Sequence, residues 1–283
     1  MDKVKVRLSE LWIYPLKSAR GIRLETAKLT PMGFENDRRW MLVNPEGRFL
    51  SQRELPAMAQ LEMALTPQGL SCRYQESLCT LPFLTQAPST RSVKVWRSEV
   101  PAWVYPDATN QWFSERLKTP CQLVYMPDST FRETNPRYAP GKRVSFADGY
   151  PYLLANQSAL DLLNQRLQKA KHVPITMERF RPNMVLEGDS ACGEHHWKTL
   201  QFPASPCHNS QSNDSVRFEV VKACERCVMV NNNPASGERY QEPLRTLHTY
   251  NRVQEKIIFG QNAYSPNKTG SLTVGMKGYI HVH

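Results

Sequence analysis

The chain has 283 residues, of which 40% are hydrophobic and 10% aromatic, enough to bury a real core in one large domain or two closely packed ones; this excludes wholesale disorder. Lys and Arg number 36 against 26 Asp and Glu, a formal charge of +10, yet no basic run exceeds two residues and none is interleaved with aromatics. A basic surface can attract a polyanion, an acidic partner or a phosphorylated small molecule, but without a basic stripe the excess reads first as a generally basic solvated surface, and no stretch approaches the ~20 apolar residues of a membrane helix.

Residues 1–6 alternate charged and apolar side chains and run into Leu11-Trp12-Ile13-Tyr14, without the continuous apolar core of a signal peptide. They read as a first β-strand, and the protein is expected in the cytoplasm, where its seven cysteines stay reduced. Residues 39–43 and 48–50 form a hairpin around Asn44-Pro45-Glu46-Gly47, because Asn, Pro and Gly stand where a type I turn prefers them. Residues 92–96 and 121–125 are strands, separated by a short helix over 108–118 that Pro120 stops. The polar stretch after Tyr125 marks a seam, dividing the chain into 1–127 and 128–283.

Leu160, Leu163 and Leu167 recur at helical spacing and predict a helix over 158–171, capped by Asn156 or Ser158 and limited by Pro174. Further strand-type runs follow at 184–186, 216–220, 228–230, 272–274 and 279–282, while 188–214, rich in Ser, Asn, His and Cys, reads as a long irregular excursion. The fold class is mainly β (α+β), a β-barrel packed with an N-terminal β-rich domain, with few short helices.

Cys224-Glu225-Arg226-Cys227 is the segment that draws chemical attention. A structural zinc site needs four ligands, and with no second Cys-x-x-Cys pair it would have to recruit from Cys192, His195, His196, Cys207 and His208. A thioredoxin-type dithiol belongs at a helix start, whereas this pair lies between two β-type runs. One buried structural cysteine beside an incidental one, or a single thiolate for a soft metal, stand as further readings of the residues alone.

The surroundings carry a resemblance. The segment 220–227, followed by Asn233-Pro234-Ala235-Ser236-Gly237, resembles the signature of MOSC domains, in particular the molybdenum-containing amidoxime reductases and their bacterial relatives. The likeness runs along the whole chain, through Tyr14-Pro15-Leu16-Lys17-Ser18, Asp37-Arg38-Arg39-Trp40, Asp148-Gly149-Tyr150-Pro151, Arg179-Phe180-Arg181-Pro182-Asn183, Phe259-Gly260-Gln261-Asn262 and Gly270-Ser271-Leu272-Thr273-Val274-Gly275. One departure is Met276, where an acidic residue usually follows Val-Gly.

The resemblance implies a molybdenum cofactor with Cys227 as metal ligand and catalytic residue. It implies that Lys17, Ser18, Arg38, Asp148, Arg181, Asn183, Arg226 and Asn262 bind the cofactor. Lys17, Ser18 and Arg38 suit its phosphate; Arg181 and Asn183, two apart and facing one side if extended, suit phosphate and pterin; Asn262 is expected in a turn after Gly260. Arg226 either favours the thiolate next door or reaches the phosphate. The implied reaction is reduction of N-hydroxylated small molecules (amidoximes, hydroxamic acids, N-hydroxylated bases) by oxygen transfer to reduced molybdenum. Many bacterial relatives add a ferredoxin-like domain, and no cysteine-rich tail for an iron–sulfur cluster is seen here. The expectation is therefore a monomer without such a cluster, served by a separate donor protein, a ferredoxin, flavodoxin-like protein or flavin reductase. The alternative is a carrier of the cofactor, or of sulfur on Cys227, without turnover. Neither nucleic acid nor membrane is an expected partner.

Overall fold

The computed structural model describes residues 3–204 and 215–282. Its largest element is a closed seven-stranded barrel: β1 (Lys3–Ile13), β2 (Tyr152–Asn156), β3 (Met184–Glu187), β4 (Trp197–Phe202), β5 (Val216–Glu225), β6 (Lys256–Tyr264) and β7 (Lys277–Val282). Around the barrel the order is β2-β3-β1-β7-β4-β5-β6, and β6 pairs back onto β2 to close it. All pairs are antiparallel except β2 with β3. That parallel pair requires a crossover, supplied by the helix over Gln157–Lys169.

Alternation sets the inward face. In β1, Val6 and Leu8 point in, a register shift between Leu8 and Glu10 changes the parity, and Leu11 and Ile13 point in beyond it. They meet Leu154, Met184, Leu200, Phe218 and Ile280 in the barrel core.

Before the crossover comes helix α1 (Asp107–Leu117), ended by Lys118 in the left-handed conformation; the crossover itself is α2 (Gln157–Lys169), whose N-cap Asn156 accepts from Ser158 N–H. Leu160, Leu163 and Leu167 of α2 pack on the outside of the barrel against Val185 and Phe259.

The N-terminal part holds a four-stranded antiparallel sheet, in the order Trp40–Val43, Gln122–Tyr125, Ser98–Val104, Ser89–Val95, and a three-stranded one built from residues 62–82. Trp40, Tyr105, Phe113 and Leu123 form its core. The Asn44–Gly47 turn forms as read, with Gly47 at φ 79° and its N–H bonded to Asn44 C=O, although the returning limb makes only isolated bridges.

Four local expectations change. Residues 197–202, placed in an irregular excursion, are barrel strand β4 with Trp197, Leu200 and Phe202 buried; the polar residues around them mask a short apolar run. Residues 205–214 of that excursion, with Cys207 and His208, lie outside the described residues. Residues 228–230 are not a strand but a 3₁₀ turn, Val228–Asn231, where the chain leaves the barrel. There tertiary demand overrides the β-propensity of the valines, and Asn231 fixes the turn by bonding Gln241 C=O and Leu244 N–H. Asn262 lies inside β6 rather than in a turn; Gly260, at φ 76°, marks a bulge where an added Cβ would stand 2.6 Å from the Leu154 carbonyl. Arg181 and Asn183 are not in an extended run, since Arg181 at φ 56° closes a 3₁₀ turn over Met177–Phe180. The barrel takes its β1 from the first residues of the chain and so draws on both sides of 127/128.

Candidate functional site

A cleft of about 900 Å³, counting its open mouth, lies between the barrel and the N-terminal part. Every site residue expected from the sequence lines it: Lys17, Ser18, Arg38, Asp148, Arg181, Asn183, Arg226, Cys227 and Asn262. Arg53 and Arg179 join them, so six cations face two carboxylates, Asp148 and Glu225.

The floor is built on Tyr14, which has no exposed surface. Its ring is covered by two guanidinium groups, Arg38 at 4.4 Å and Arg181 at 4.2 Å from the centroid. Its hydroxyl donates to Pro182 C=O at 3.1 Å, and burial pushes its pKa up, so it stays a neutral donor. Arg38, itself at φ 49°, donates Nη1 to both Asp37 oxygens at 2.9 and 2.7 Å and to Asn183 Oδ1 at 3.1 Å, and Nη2 to Arg181 C=O at 3.1 Å. Arg181 donates to Ala19 C=O at 2.5 Å. The two like charges share the floor because Asp37, an aromatic face and carbonyl oxygens surround them.

Asn183 ties this floor to the barrel. Its Nδ2 donates to Trp12 C=O at 3.2 Å while Trp12 N–H donates to its carbonyl. Its Oδ1 accepts from Leu153 N–H at 3.1 Å while its own N–H donates to Leu153 C=O. One side chain thus knits β1 to β2 and fixes Arg38, work that its residue type alone did not reveal.

Lys17 enters from the wall with only 7% of its side chain exposed. It donates to Phe146 C=O at 2.8 Å and to Asp148 Oδ1. Burial lowers its pKa to about 8, with the Asp148 charge working the other way. Desolvation opposes ionisation of Asp148, although 58% of its side chain is open at the mouth. Lys17, then Arg53 and the Trp96 N–H prevail and hold its carboxyl well below the usual range. Arg132, buried, donates to Ser145, Ala147 and Asp148 carbonyls and so presents this loop.

At the far wall β5 ends at Glu225, and Cys227 opens the 3₁₀ turn beyond it. Arg226 does not reach the Cys227 sulfur: it donates to Cys224 Sγ at 2.9 Å and to Phe180 C=O at 2.7 Å. The cation on Cys227 is Arg53, with Nη2 3.3 Å from Sγ. Nothing in the local sequence around Arg53 marks it; only the fold brings it across. Asn262 donates weakly to Ala223 C=O at 3.4 Å and keeps its amide at the cleft. Cys224, Cys227 and Cys192 are free thiols, and among the described residues no three His, Cys, Asp or Glu side chains are arranged to hold a metal. Cys207 and His208, two of the ligands that the zinc reading would recruit, lie outside the described residues.

The family model for the MOSC N-terminal beta barrel domain matches residues 5–120, and that for the MOSC domain matches residues 141–277. The human mitochondrial amidoxime-reducing component 1 is 30% identical over 96% of this chain and 82% of its own length. The bovine mitochondrial amidoxime reducing component 2 is 28% identical over 95% of this chain and 81% of its own. The rice (Oryza sativa subsp. japonica) molybdenum cofactor sulfurase is 30% identical over 90% of this chain, which spans only 32% of that protein. The chain belongs to the MOSC family, with a MOSC N-terminal beta barrel domain followed by a MOSC domain.

Proposed function

We propose that this protein is a molybdenum-cofactor-dependent reductase of N-hydroxylated compounds, working in the reducing cytoplasm with electrons from a separate donor protein. The observation that carries the reading is the Cys227 thiol, set in a cleft whose lining holds six cations and two carboxylates. The donor set fits such a group. A thiolate is the protein ligand a soft metal takes, and buried guanidinium and ammonium groups suit a terminal phosphate. Arg226 also carries a buried Nε without a partner among the described residues.

In this reading Cys227 ligates the metal, Lys17, Ser18, Arg38 and Arg181 hold the phosphate and pterin end, and Arg226 and Asn262 complete the wall. Asp148 keeps Lys17 in place at the mouth. The bound cofactor supplies the two-electron, oxygen-accepting chemistry that cleaves an N–O bond; the chain supplies ligation, orientation and charge. The basic surface suits an acidic donor protein. The likeness to amidoxime-reducing components supports the substrate class.

The second reading, a carrier of cofactor or sulfur, is favoured by the likeness to a molybdenum cofactor sulfurase. The experiment measures molybdenum per chain for wild type, Cys227→Ala and Cys224→Ala made in a cofactor-competent host, then turnover of an amidoxime with a reduced donor. Near-stoichiometric molybdenum that survives loss of Cys224 but not of Cys227, with turnover, supports the reductase. Molybdenum without turnover selects the cofactor carrier, and a wild type free of molybdenum rejects both the reductase and the cofactor carrier, leaving only carriage of sulfur on Cys227.

A further inference from the structure

Arg53 reaches the cleft from the N-terminal domain and is held from three sides. Its carbonyl and that of Gln52 accept from Arg239 Nη2 at 3.0 and 2.6 Å, and Gln52 C=O also accepts from Asn232 Nδ2 at 3.2 Å. Asn232 and Arg239 flank the Asn233–Gly237 turn, which itself docks on the N-terminal domain by accepting from Gln60 Nε2 through the Ala235 and Ser236 carbonyls. The guanidinium then lies 4.8 Å from the Trp96 ring centroid, and the Trp96 indole N–H donates to Asp148 at 3.1 Å. Among the described residues Arg53 forms no ion pair with a carboxylate, although its charge is felt at Asp148, and its side-chain hydrogen bond goes to Cys227 Sγ at 3.3 Å.

From this geometry we infer that Arg53 is the positioning residue of the Cys227 sulfur: a hydrogen-bond donor lent by the N-terminal domain, kept on station by Trp96. The inference rests on Cys227 being the molybdenum ligand. An N–H donor on a ligating thiolate fixes the direction of its lone pairs and withdraws electron density from the metal, which favours the reduced state. Arginine suits the place because its planar group can lie against an indole while its edge donates in a fixed direction, whereas a lysine ammonium has no planar face and its donors rotate. The Asn-Pro-Ala-Ser-Gly turn thereby acquires a physical role, since it pins the loop that aims Arg53.

The test uses the molybdenum-loaded full chain as wild type, Arg53→Gln, Arg53→Lys and Trp96→Ala. Molybdenum content, the Mo(V) electron paramagnetic resonance spectrum, the reduction potential and kcat and KM are read on each. Arg53→Gln is expected to lower the potential, shift the Mo(V) g-values and drop kcat about ten- to hundredfold with little change in KM. Arg53→Lys restores part of the potential but not the spectrum, and Trp96→Ala shifts both in the same direction by less. Wild-type potential and spectrum in Arg53→Gln overturn the inference; should that variant not fold, an unshifted Trp96→Ala does so. A wild type without molybdenum instead overturns the ligand reading beneath it, which the unmutated protein reveals before any variant is compared.

Discussion

A Cβ placed on Gly21 would stand 2.6 Å from Cε1 of Tyr14, so the absence of a side chain at residue 21 makes the room in which the ring lies. The ring cannot give way cheaply, because Arg38 and Arg181 stack on it and its hydroxyl is bonded to Pro182. Gly21→Ala is expected to destabilise the fold by about 1–3 kcal/mol through overpacking and to lower molybdenum content together with stability. Denaturant melts and metal analysis on the same preparation check this; unchanged stability would show that the ring is freer than its partners imply.

Lys17 sets a pH dependence whose two readouts run in opposite directions. With its pKa lowered by burial to about 8, the ammonium is charged at neutral pH and lost above that value, so retention of a phosphate-bearing ligand should weaken as pH rises through about 8. Folding responds the other way. The unfolded lysine holds its proton up to its ordinary 10.5, so between the two values the unfolded state binds more protons and this group makes the fold more stable as pH rises. Lys17→Met should remove both slopes and weaken ligand retention by about ten- to hundredfold at neutral pH. Molybdenum retained after dialysis at a series of pH values, beside thermal melts at the same values, tests the pairing.

The fold was legible where a local pattern was clean, as in the alternation that opens β1, the Asn44–Gly47 turn and the leucines of α2. It was illegible where a short apolar run sits among polar neighbours, as at Trp197–Phe202, or where valines serve a turn, as at Val228–Val230. At the site, residues inside recognisable motifs could be named, and the cleft gathers them. Their division of labour could not, because it depends on partners far along the chain. Asn183 spends its amide on Trp12 and Leu153, and Arg53, which lies in none of the matched motifs, meets a sulfur 174 residues away.

Asn183 yields a prediction that separates stability from charge. Asn183→Ala strands the Leu153 N–H and the Trp12 C=O in a buried place, an expected loss of about 2–4 kcal/mol, and frees Arg38 to move. Asn183→Asp keeps the acceptor for Leu153 and Arg38 but sets a carboxylate oxygen against the Trp12 carbonyl in place of a donor. It should therefore hold Arg38 yet still lose stability, and the gap between the two variants in denaturant melts measures the Arg38 and Leu153 contacts together, less the repulsion at the Trp12 carbonyl. Equal loss in both would mean that the acceptor at residue 183 contributes nothing net through Arg38 and Leu153, and that Arg38 takes its position from Asp37, Tyr14 and the Arg181 carbonyl.

Glu194 is a buried carboxyl outside the cleft, in the 3₁₀ turn Gly193–His196. Its Oε2 accepts from Asn156 Nδ2 at 3.1 Å, the residue that caps α2, while Oε1 has no partner among the described residues. Burial, set against the Asn156 bond and aided by Asp189, raises its pKa to about 7. A carboxyl with a folded pKa above its ordinary 4.5 keeps its proton better when folded, so its contribution is full below 4.5 and is lost as pH rises through about 7. Gln has nearly the same shape, still accepts from Asn156 and carries no charge to desolvate. Glu194→Gln should therefore match wild type in acid and become the more stable protein as pH rises, by up to about 3 kcal/mol near pH 8. Urea melts of the two proteins across that range decide it: parallel stability curves would mean that Glu194 finds solvent or a partner in the folded state, and a gap that opens with rising pH would mean that the cap of α2 carries a charge penalty at neutral pH.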